Sequence, residues 1–450
     1  MSKKLDLHHI SYRTIWSLAW PVILGQVLQT TFTVVDMKFI AMLGTSQAAA
    51  AAVSGSLTWT LFSLMGMISA GTTAVISRRM GEDRPLDAGL TAFHSLILAL
   101  VMGLLVGTTG LTFVRELLDL FGTTPDVTAH ALLYLNITFL GTPVLVMGMV
   151  LSAAFQAAGD TQRPMQLFAL ANAINLILDP LLMFGKFGFP AMGIKGAALA
   201  TVIAQLISVS ILLFILYTPR SPIPMPRLRD SRLDKALFWL LIKIGFPTGI
   251  QNTARPITGN VTFKIVALYG TDALAAFGFG MRALSFCWLF LGGFIVASSA
   301  LVGQSLGAGL PESAERAVKK SVLVVTLIAG LFFLFYGFGG KYAIMIFSTE
   351  ANVLRIGASY LLIVGLGMIF TAPGAICQAG FTGAGDTRPP MVISLIANWG
   401  LKLPAALICA YVFHLSIDWI WGAVSLSMIF EGGTMALWFR RGRWKEIKLK

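Results

Sequence analysis

Apolar stretches of about 20 residues or more recur along the whole of this 450-residue chain. A helix needs about that length to cross ~30 Å of hydrocarbon at ~1.5 Å per residue. The chain is 56% hydrophobic and only 12% charged, with a mean hydropathy of +0.80. A soluble core cannot hold that much apolar surface, and closed β-barrels need short alternating strands instead of continuous runs. The sequence therefore predicts a helical membrane protein.

The apolar stretches fall into two sets of six. The twelve predicted spans are 14–43, 52–76, 90–114, 129–155, 165–185, 192–217, 238–269, 278–303, 319–339, 355–378, 391–413 and 417–439. The second set repeats the first at a shift of 226 residues, which aligns Pro21 with Pro247, Gly159-Asp160-Thr161 with Gly385-Asp386-Thr387, and Asn172 with Asn398. The chain is therefore predicted to be an internal duplication.

An even number of spans per repeat gives both repeats the same orientation in the membrane. Such parallel repeats are related by an axis along the membrane normal. The predicted fold class is therefore all-α integral membrane, with twelve transmembrane helices in two six-helix lobes related by a pseudo-two-fold along that normal. A basic, Pro-rich segment separates the repeats, so the expected parts are an N-lobe at 1–218, a linker at 219–236, a C-lobe at 237–439 and a basic tail at 440–450.

Basic residues are distributed unevenly between the two sides of the predicted membrane protein. Loops after even-numbered spans, with both termini, hold 22 of the 33 Lys and Arg residues, and loops after odd-numbered spans hold five. By the positive-inside rule we expect a multi-pass protein of the cell (inner or plasma) membrane with cytoplasmic termini and linker. Topology accounts for the net charge of +13 without a nucleic-acid partner, and the basic tail can also contact anionic headgroups of the bilayer.

Catalytic and metal motifs are absent from the sequence. The cysteines lie inside predicted spans without CxxC spacing, which argues against a disulfide framework or a zinc site. The histidines are scattered near predicted span ends and form neither a metal-spaced cluster nor a Ser-His-Asp set: His8, His9, His94, His130 and His414. We therefore expect no enzyme activity and no cofactor.

Two carboxylates interrupt the apolar spans of the first half only. These are Asp36 and Asp179, and the equivalent positions of the second half hold Thr262 and Ala405. A charged side chain near a bilayer centre costs roughly 2.5–3.5 kcal/mol on insertion scales, so an intramembrane carboxylate indicates function by default. Symmetric halves with an asymmetric charge site predict a rocking transporter whose coupling site lies in one lobe.

Each of these carboxylates belongs to a polar stripe on one helical face. The stripes are Gln29, Thr33 and Asp36 on the first span, Asn172, Asn175 and Asp179 on the fifth, and Thr201 and Gln205 on the sixth. Spacings of three and four residues place each set on one side of its helix. Carboxylate, amide and hydroxyl oxygens suit Na⁺, and the same carboxylates could instead take a proton. The competing interpretations are interhelical hydrogen bonding for Gln29 and Thr33, and an ion pair with Lys38 for Asp36.

The second half carries mainly cations in or near its spans. They are Arg255, Lys264, Arg282 and Lys402, with Glu431 as the deep acidic group. Lys402 is the expected partner of Glu431, and the sequence leaves open whether Glu431 forms an ion pair or is a second titrating site. The surplus of cations keeps an anionic substrate open.

At these residues the chain resembles the multidrug and toxic compound extrusion (MATE) family of transporters, over nearly its whole length. The resemblance rests on Pro21, on Asp36 ahead of Leu43-Gly44, on the Gly159-Asp160-Thr161 turn, and most specifically on Asn175-Leu176-Ile177-Leu178-Asp179-Pro180. It implies a secondary active antiporter that exports amphipathic drugs or toxic organic compounds in exchange for Na⁺ or H⁺. We expect those ions, the small-molecule substrate and the bilayer as partners of a monomer.

The resemblance also implies roles for single residues. The family's N-lobe cation site is matched, with Na⁺ as the ligand if transport is sodium-coupled, by Asp36, Asn175, Asp179 and Thr201. Pro21 is the expected hinge, and the candidates for lining the cavity or binding substrate are Gln29, Thr33, Tyr134, Asn172, Gln205, Arg255 and Glu431. Some members carry acidic cation ligands in the seventh and tenth helices, which this chain lacks. That difference points to the subgroup that couples through the N-lobe.

The sequence is also compatible with other functions. A flippase or exporter of lipid-linked or anionic compounds would keep the fold and change the cargo. An ion channel or a scaffold is disfavoured, because a pore would favour matched rings around its axis. Neither the coupling ion nor the substrate follows from the sequence.

Overall fold

A computed structural model describes residues 6–119, 122–219, 221–226 and 233–449. Residues 220 and 227–232, in the expected linker, lie outside the described residues. Helices dominate the described residues: α1 Tyr12–Leu43, α2 Thr45–Gly81, α3 Pro85–Asp119, α4 Pro125–Ala157, α5 Gln162–Phe184, α6 Ile194–Leu216, α7 Lys235–Ala267, α8 Thr271–Gly307, α9 Pro311–Met345, α10 Ala351–Ala384, α11 Arg388–Val412 and α12 Ile417–Arg440. The all-α prediction is confirmed.

Most of these helices have the length and composition of membrane spans. Within the described ranges, eleven are long and apolar enough to cross a membrane. The remaining long helix, α7, has 33 residues and includes Lys243, Arg255 and Lys264. Helices α2 and α8 have 37 residues each, or ~55 Å at 1.5 Å per residue, well beyond the ~30 Å of hydrocarbon. The helices therefore extend beyond the apolar stretches from which the sequence predicts them.

Helix α11 departs from regular α-helical winding. Its α-helical parts are Arg388–Leu395 and Leu403–Leu407, and its π-helical parts are Ile396–Lys402 and Ile408–Val412. Pro404 follows the first π segment; it has no N–H to donate to the carbonyl of Gly400, and its ring crowds that carbonyl. A wider turn relieves this conflict. π turns are frequent at functional sites, and the first π segment of α11 carries Asn398 and Lys402.

The chain packs into two compact units. The N-terminal unit includes the chain from Leu24 to Gly245, and the C-terminal unit includes α1 up to Ile23 and everything from Phe246 onward. Helices α1 and α7 therefore each begin in one unit and continue in the other. The lobe boundaries at 218 and 237 remain predictions about the sequence repeats, whereas packing assigns the first parts of α1 and α7 to the opposite units.

Both crossing helices carry a proline close to the point of crossing. Pro21 lies inside α1 and Pro247 inside α7, each two residues from the position where its helix passes between units. An interior proline removes one backbone hydrogen bond and favours a kink. Each helix is therefore weakened close to the point where it leaves one unit for the other, and α7 has a second interior proline at Pro256.

The same backbone contact occurs once in each unit. A Cβ atom on Gly245 would lie 2.1 Å from the carbonyl oxygen of Met67, and one on Gly293 would lie 2.4 Å from that of Ala19. Ala19 and Gly245 are 226 residues apart, and so are Met67 and Gly293. The start of α1 thus packs on α8 just as the start of α7 packs on α2, and the sequence duplication is also a duplication of packing.

Aromatic side chains fill the core of the C-terminal unit. Trp421 of α12 is fully buried, stacks on Phe277 of α8 with ring centroids 5.4 Å apart, and meets Tyr360 of α10 edge-on at 4.8 Å. Aromatic pairs of this kind contribute ~0.5–1.5 kcal/mol beyond the burial of their surface. They fix α8, α10 and α12 against one another.

Helices α10 and α12 approach closely at a pair of glycines, which gives a prediction on stability. A Cβ atom on Gly432 would lie 2.0 Å from the carbonyl oxygen of Phe370, and one on Gly374 would lie 2.6 Å from the Cα of Gly432. Overpacking of this kind costs ~1–3 kcal/mol. We expect Gly432→Ala to lower the melting temperature of the detergent-purified protein. The control is Gly433→Ala, where a Cβ meets nothing within 4 Å; equal melting temperatures of the two variants would refute the close packing.

Candidate functional site

Side chains of α5 and α6 form a polar network inside the N-terminal unit. Asn175 donates from Nδ2 to Oδ1 of Asp179 at 3.3 Å and to Oγ1 of Thr201 at 3.2 Å. The Thr201 hydroxyl in turn donates to the carbonyl oxygen of Ala197 at 3.1 Å. Asp179 is only 1% exposed. The i, i+4 spacing of Asn175 and Asp179 on α5 thus produces the shared face expected from the sequence.

Asp36 of α1 brings a second carboxyl group to this network. It is half-buried, and its side chain interacts directly with that of Asp179. Oδ1 of Asp36 is buried and has no hydrogen-bond partner among the described residues. Two ionised carboxylates in contact repel each other unless a proton or a cation lies between them. The geometry therefore suits a bound proton or a small cation.

The side chains that could bind a cation at this site are few, and they offer hard oxygen ligands. Among the described residues there is no group of three or more His, Cys, Asp or Glu side chains that could hold a metal. A cation at this site would therefore be held by the two carboxylates and by neutral oxygens such as the Thr201 hydroxyl. Carboxylate, amide and hydroxyl oxygens are hard ligands, and they fit Na⁺ better than a transition metal.

Three other predicted residues lie near this network. Tyr134 of α4 is close enough to interact electrostatically with both carboxyl groups. Asn172 lies one turn before Asn175, and its buried Nδ2 has no partner among the described residues. Gln205 of α6 lies beside α4, with its Oε1 3.9 Å from an ideal Cβ on Gly148.

The remaining polar residues of α1 are not linked to the carboxyl groups. Gln29 and Thr33 are exposed, and the Thr33 hydroxyl donates to the carbonyl oxygen of Gln29 in its own helix at 2.9 Å. Lys38 is also exposed, and none of the ion pairs between described residues joins it to Asp36. The structure therefore gives no support to the Asp36–Lys38 ion pair.

A second polar network lies inside the C-terminal unit and corrects one expectation. Glu431 of α12 forms an ion pair with Arg255 of α7, with Oε1 and Nη2 2.6 Å apart. Its expected partner, Lys402, instead donates to Oδ1 of Asn398 at 2.7 Å and to Oγ1 of Thr258 at 3.2 Å. The expectation was wrong because the π segment of α11 holds the Lys402 amine against Asn398, while Arg255 reaches Glu431 directly.

Amide side chains extend this network. Asn398 donates from Nδ2 to Oε2 of Glu431 at 3.2 Å. Arg255 also donates to Oε1 of Gln378 at 3.4 Å, and Gln378 donates to Oε1 of Gln251 at 3.2 Å. Sequence reasoning missed Gln378 and Gln251, although a glutamine inside an apolar span is itself a signal of a buried polar contact.

A small cavity opens beside the ion pair. Its empty volume is about 240 Å³, and its lining includes Arg255, Glu431, Gln378, Trp288, Thr371 and Met435. The side chains of Arg255 and Glu431 are 38% and 15% exposed. The ion pair is thus reachable from the cavity and is not sealed in the core.

These features define a class of protein. Membrane-length helices in two duplicated units, a carboxylate pair in one unit and a charged cavity in the other are typical of a membrane transporter. The family model of MatE matches residues 21–181 and 247–408, one match per repeat and more than half of the chain in total. The chain therefore belongs to the MATE family of transporters, as the sequence motifs suggested, and it is not an enzyme.

Known proteins are similar over almost the full length. The probable multidrug resistance protein NorM of Thermotoga maritima is 28% identical over 95% of this chain and 92% of its own. A FAD transporter of Shewanella oneidensis is 27% identical over 89% and 88%. An outward-facing multidrug resistance MATE transporter and a MOP superfamily transporter from Pyrococcus furiosus each superpose with a TM-score of 0.90 at 20% identity, covering 99% of this chain and 100% of theirs. At that identity the structural likeness establishes the fold alone.

Proposed function

We propose that this transporter exports amphipathic organic compounds in exchange for Na⁺ or H⁺. The coupling ion binds in the N-terminal unit, at Asp36 and Asp179 with Asn175 and Thr201. The observation that carries the proposal is the direct contact of the buried Asp179 carboxyl group with that of the half-buried Asp36, whose Oδ1 is buried and has no partner among the described residues. The multidrug resistance name of the Thermotoga maritima relative supports the class of cargo.

The proposed cycle is an exchange by rocking-type alternating access. The incoming ion neutralises the carboxyl pair and removes its repulsion, which changes the preferred packing of α1 against α5. Pro21, beside the point where α1 passes between the units, is the hinge at which the helix bends and expels the compound. When the exported compound is uncharged, one elementary charge moving inward through ~100 mV supplies about 2.3 kcal/mol, and at ~1.4 kcal/mol per factor of ten this sustains a gradient of roughly forty-fold.

The distribution of charges supports an orientation for this cycle. Basic residues concentrate in the termini and in the loops after even-numbered spans, so we place both termini in the cytoplasm of a monomer in the cell membrane. The ion then enters from outside and is released to the cytoplasm, while the compound leaves.

The test is ethidium efflux from liposomes that contain the purified protein. An inward Na⁺ gradient and an inward H⁺ gradient are imposed in separate experiments, at equal membrane potential. We expect ethidium efflux under one of the two, which identifies the coupling ion. Absence of efflux under both, from protein that elutes as a folded species, would contradict the export of cationic amphipathic compounds.

A second candidate cargo is an anionic organic compound. The network of the C-terminal unit contains two positive charges, on Arg255 and Lys402, and one negative charge, on Glu431. It therefore has one excess positive charge. The Shewanella oneidensis relative carries the name FAD transporter, and FAD is a phosphate-bearing anion. Cargo with an anionic group is compatible with the same ion coupling, because the two sites lie in different units.

A further inference from the structure

We propose that the cavity of the C-terminal unit is an anion-binding subsite, which takes the carboxylate or phosphate group of an exported compound. Arg255 lines this cavity, and Lys402, which lies outside the lining, adds a positive charge to the same polar network. This inference rests on the proposed export function and names a substrate class for it. Three features of the network carry the inference: its charge, its unpaired hydrogen-bond donor and the winding of the helix that presents Lys402.

The network has a positive charge that no carboxylate of the described residues balances. Glu431 uses Oε1 for Arg255 and Oε2 for Asn398. Lys402 donates only to the neutral oxygens of Asn398 and Thr258. The interaction of charges is stronger in a low-dielectric site than in water. An anionic group that entered here would therefore complete the charge balance.

The network also holds a buried hydrogen-bond donor that has no acceptor among the described residues. A guanidinium group only donates, so Gln378 must turn Oε1 toward Arg255 and its amide nitrogen toward Oε1 of Gln251. Flipping either amide would place two donors face to face. Nε2 of Gln251 is left without a partner among the described residues, in a side chain that is 1% exposed. A ligand rich in acceptor oxygens matches this polarity.

The position of Lys402 depends on the π segment of α11. Asn398 and Lys402 both lie in this segment, and the Lys402 amine donates to Oδ1 of Asn398 at 2.7 Å. With Oδ1 occupied, Asn398 presents its amide nitrogen to Glu431. The same side chain thus holds Lys402 and occupies Glu431, which keeps the carboxylate from pairing with Lys402.

The size of the cavity limits what part of a compound it can hold. The enclosed space available to a ligand is about that of one water-sized group, far below that of pockets that enclose drug-sized ligands. It therefore takes no more than the anionic group of a compound. Trp288 and Met435 in the lining offer an aromatic face and a flexible apolar surface to the part of the compound nearest that group.

A matched pair of dyes tests the subsite. Rhodamine B carries a free carboxylate, and its ethyl ester carries the same fluorophore without that charge. We expect fluorescence anisotropy on the purified full chain in detergent to show at least ten-fold tighter binding of the acid, after subtraction of binding to empty micelles. Lys402→Gln and Arg255→Gln should each reduce this preference about ten-fold. Equal binding of acid and ester by the wild type would overturn the proposal.

The control variant is Lys264→Gln. Lys264 is an exposed residue on α7, the helix that also carries Arg255, so the substitution removes one positive charge from the same helix outside the network. It should keep the preference for the acid. A loss equal to that of Lys402→Gln would assign the preference to overall charge and refute the subsite.

The anionic group can come from a lipid headgroup or from a soluble organic compound. Binding in lipid nanodiscs distinguishes these two sources. If phosphatidylglycerol weakens the binding of rhodamine B relative to phosphatidylcholine alone, the subsite accepts a lipid headgroup; if both lipids give equal affinity, it accepts soluble organic anions. The measurement uses no ion gradient. Preference for the acid without ion-driven ethidium efflux would therefore contradict the proposed export of cationic compounds and leave the subsite standing, and the reverse result would contradict the subsite alone.

Discussion

Asp36→Asn is expected to reduce ion-driven ethidium efflux to the level of protein-free liposomes, and Asp179→Asn should do the same. Asparagine has nearly the shape of aspartate, but it cannot carry a proton in exchange or neutralise Na⁺. Because the two carboxyl groups are in contact, removing either one leaves no pair for an ion to neutralise. Efflux is measured in liposomes under the gradient that drives the wild type.

Two measurements separate loss of coupling from loss of folding. A neutral side chain costs less than a carboxylate inside the bilayer, so both variants should insert, and their melting temperatures should equal or exceed that of the wild type. The control is Asp126→Asn, on α4, where the carboxylate side chain is 72% exposed; it should leave efflux unchanged. Efflux that persists in Asp36→Asn with its ion dependence intact would remove Asp36 from the coupling site.

Local spacing in the sequence predicts which residues share a helix face, and this accounts for the polar stripe of α5. The i, i+4 relation of Asn175 and Asp179 is sufficient to predict their contact. The approach of Asp36 to Asp179 is different, because spacing along α1 does not specify which helix α1 contacts. That part of the site followed from the resemblance to the MATE family and from the motif that ends in Asp179.

Local sequence patterns could not predict the ion pair of the C-terminal unit. Arg255 and Glu431 lie 176 residues apart on different helices, and hydropathy indicates the depth of a residue in the bilayer without its rotation about the helix axis. The π segment was equally hidden, since a reading at 3.6 residues per turn assumes regular winding. Only Pro404 marks it in the sequence, and proline also occurs in ordinary kinks.

The packing of the two crossing helices shows a related limit. The Pro-rich linker and the repeat register place the boundary between halves near residues 219–236. The starts of α1 and α7 nevertheless pack in the opposite units, because Gly293 and Gly245 allow close backbone contact there. A glycine in an apolar span has many possible causes, so these contacts emerge only from the three-dimensional structure.

The second large effect concerns Glu431. Glu431→Gln leaves Arg255 and Lys402 without a compensating negative charge, whereas Arg255→Gln or Lys402→Gln leaves one charge of each sign. Breaking a buried ion pair by removing one partner costs ~3–5 kcal/mol, and we expect about 3 here because the Arg255 side chain is still 38% exposed. In thermal unfolding of the detergent-purified protein, Glu431→Gln should therefore be the least stable of the three single variants.

A double variant distinguishes this account of charge from the loss of a particular hydrogen bond. Arg255→Gln combined with Glu431→Gln restores the net charge of the network to that of the wild type, with Lys402 as the remaining cation. It should unfold at a higher temperature than Glu431→Gln alone, although it lacks both members of the ion pair. The contrary result is a double variant whose loss of stability equals the sum of the losses in Arg255→Gln and Glu431→Gln. That result would show that hydrogen-bond geometry, and not charge, governs the stability of this network, and it would contradict the use of its excess positive charge to explain anion binding.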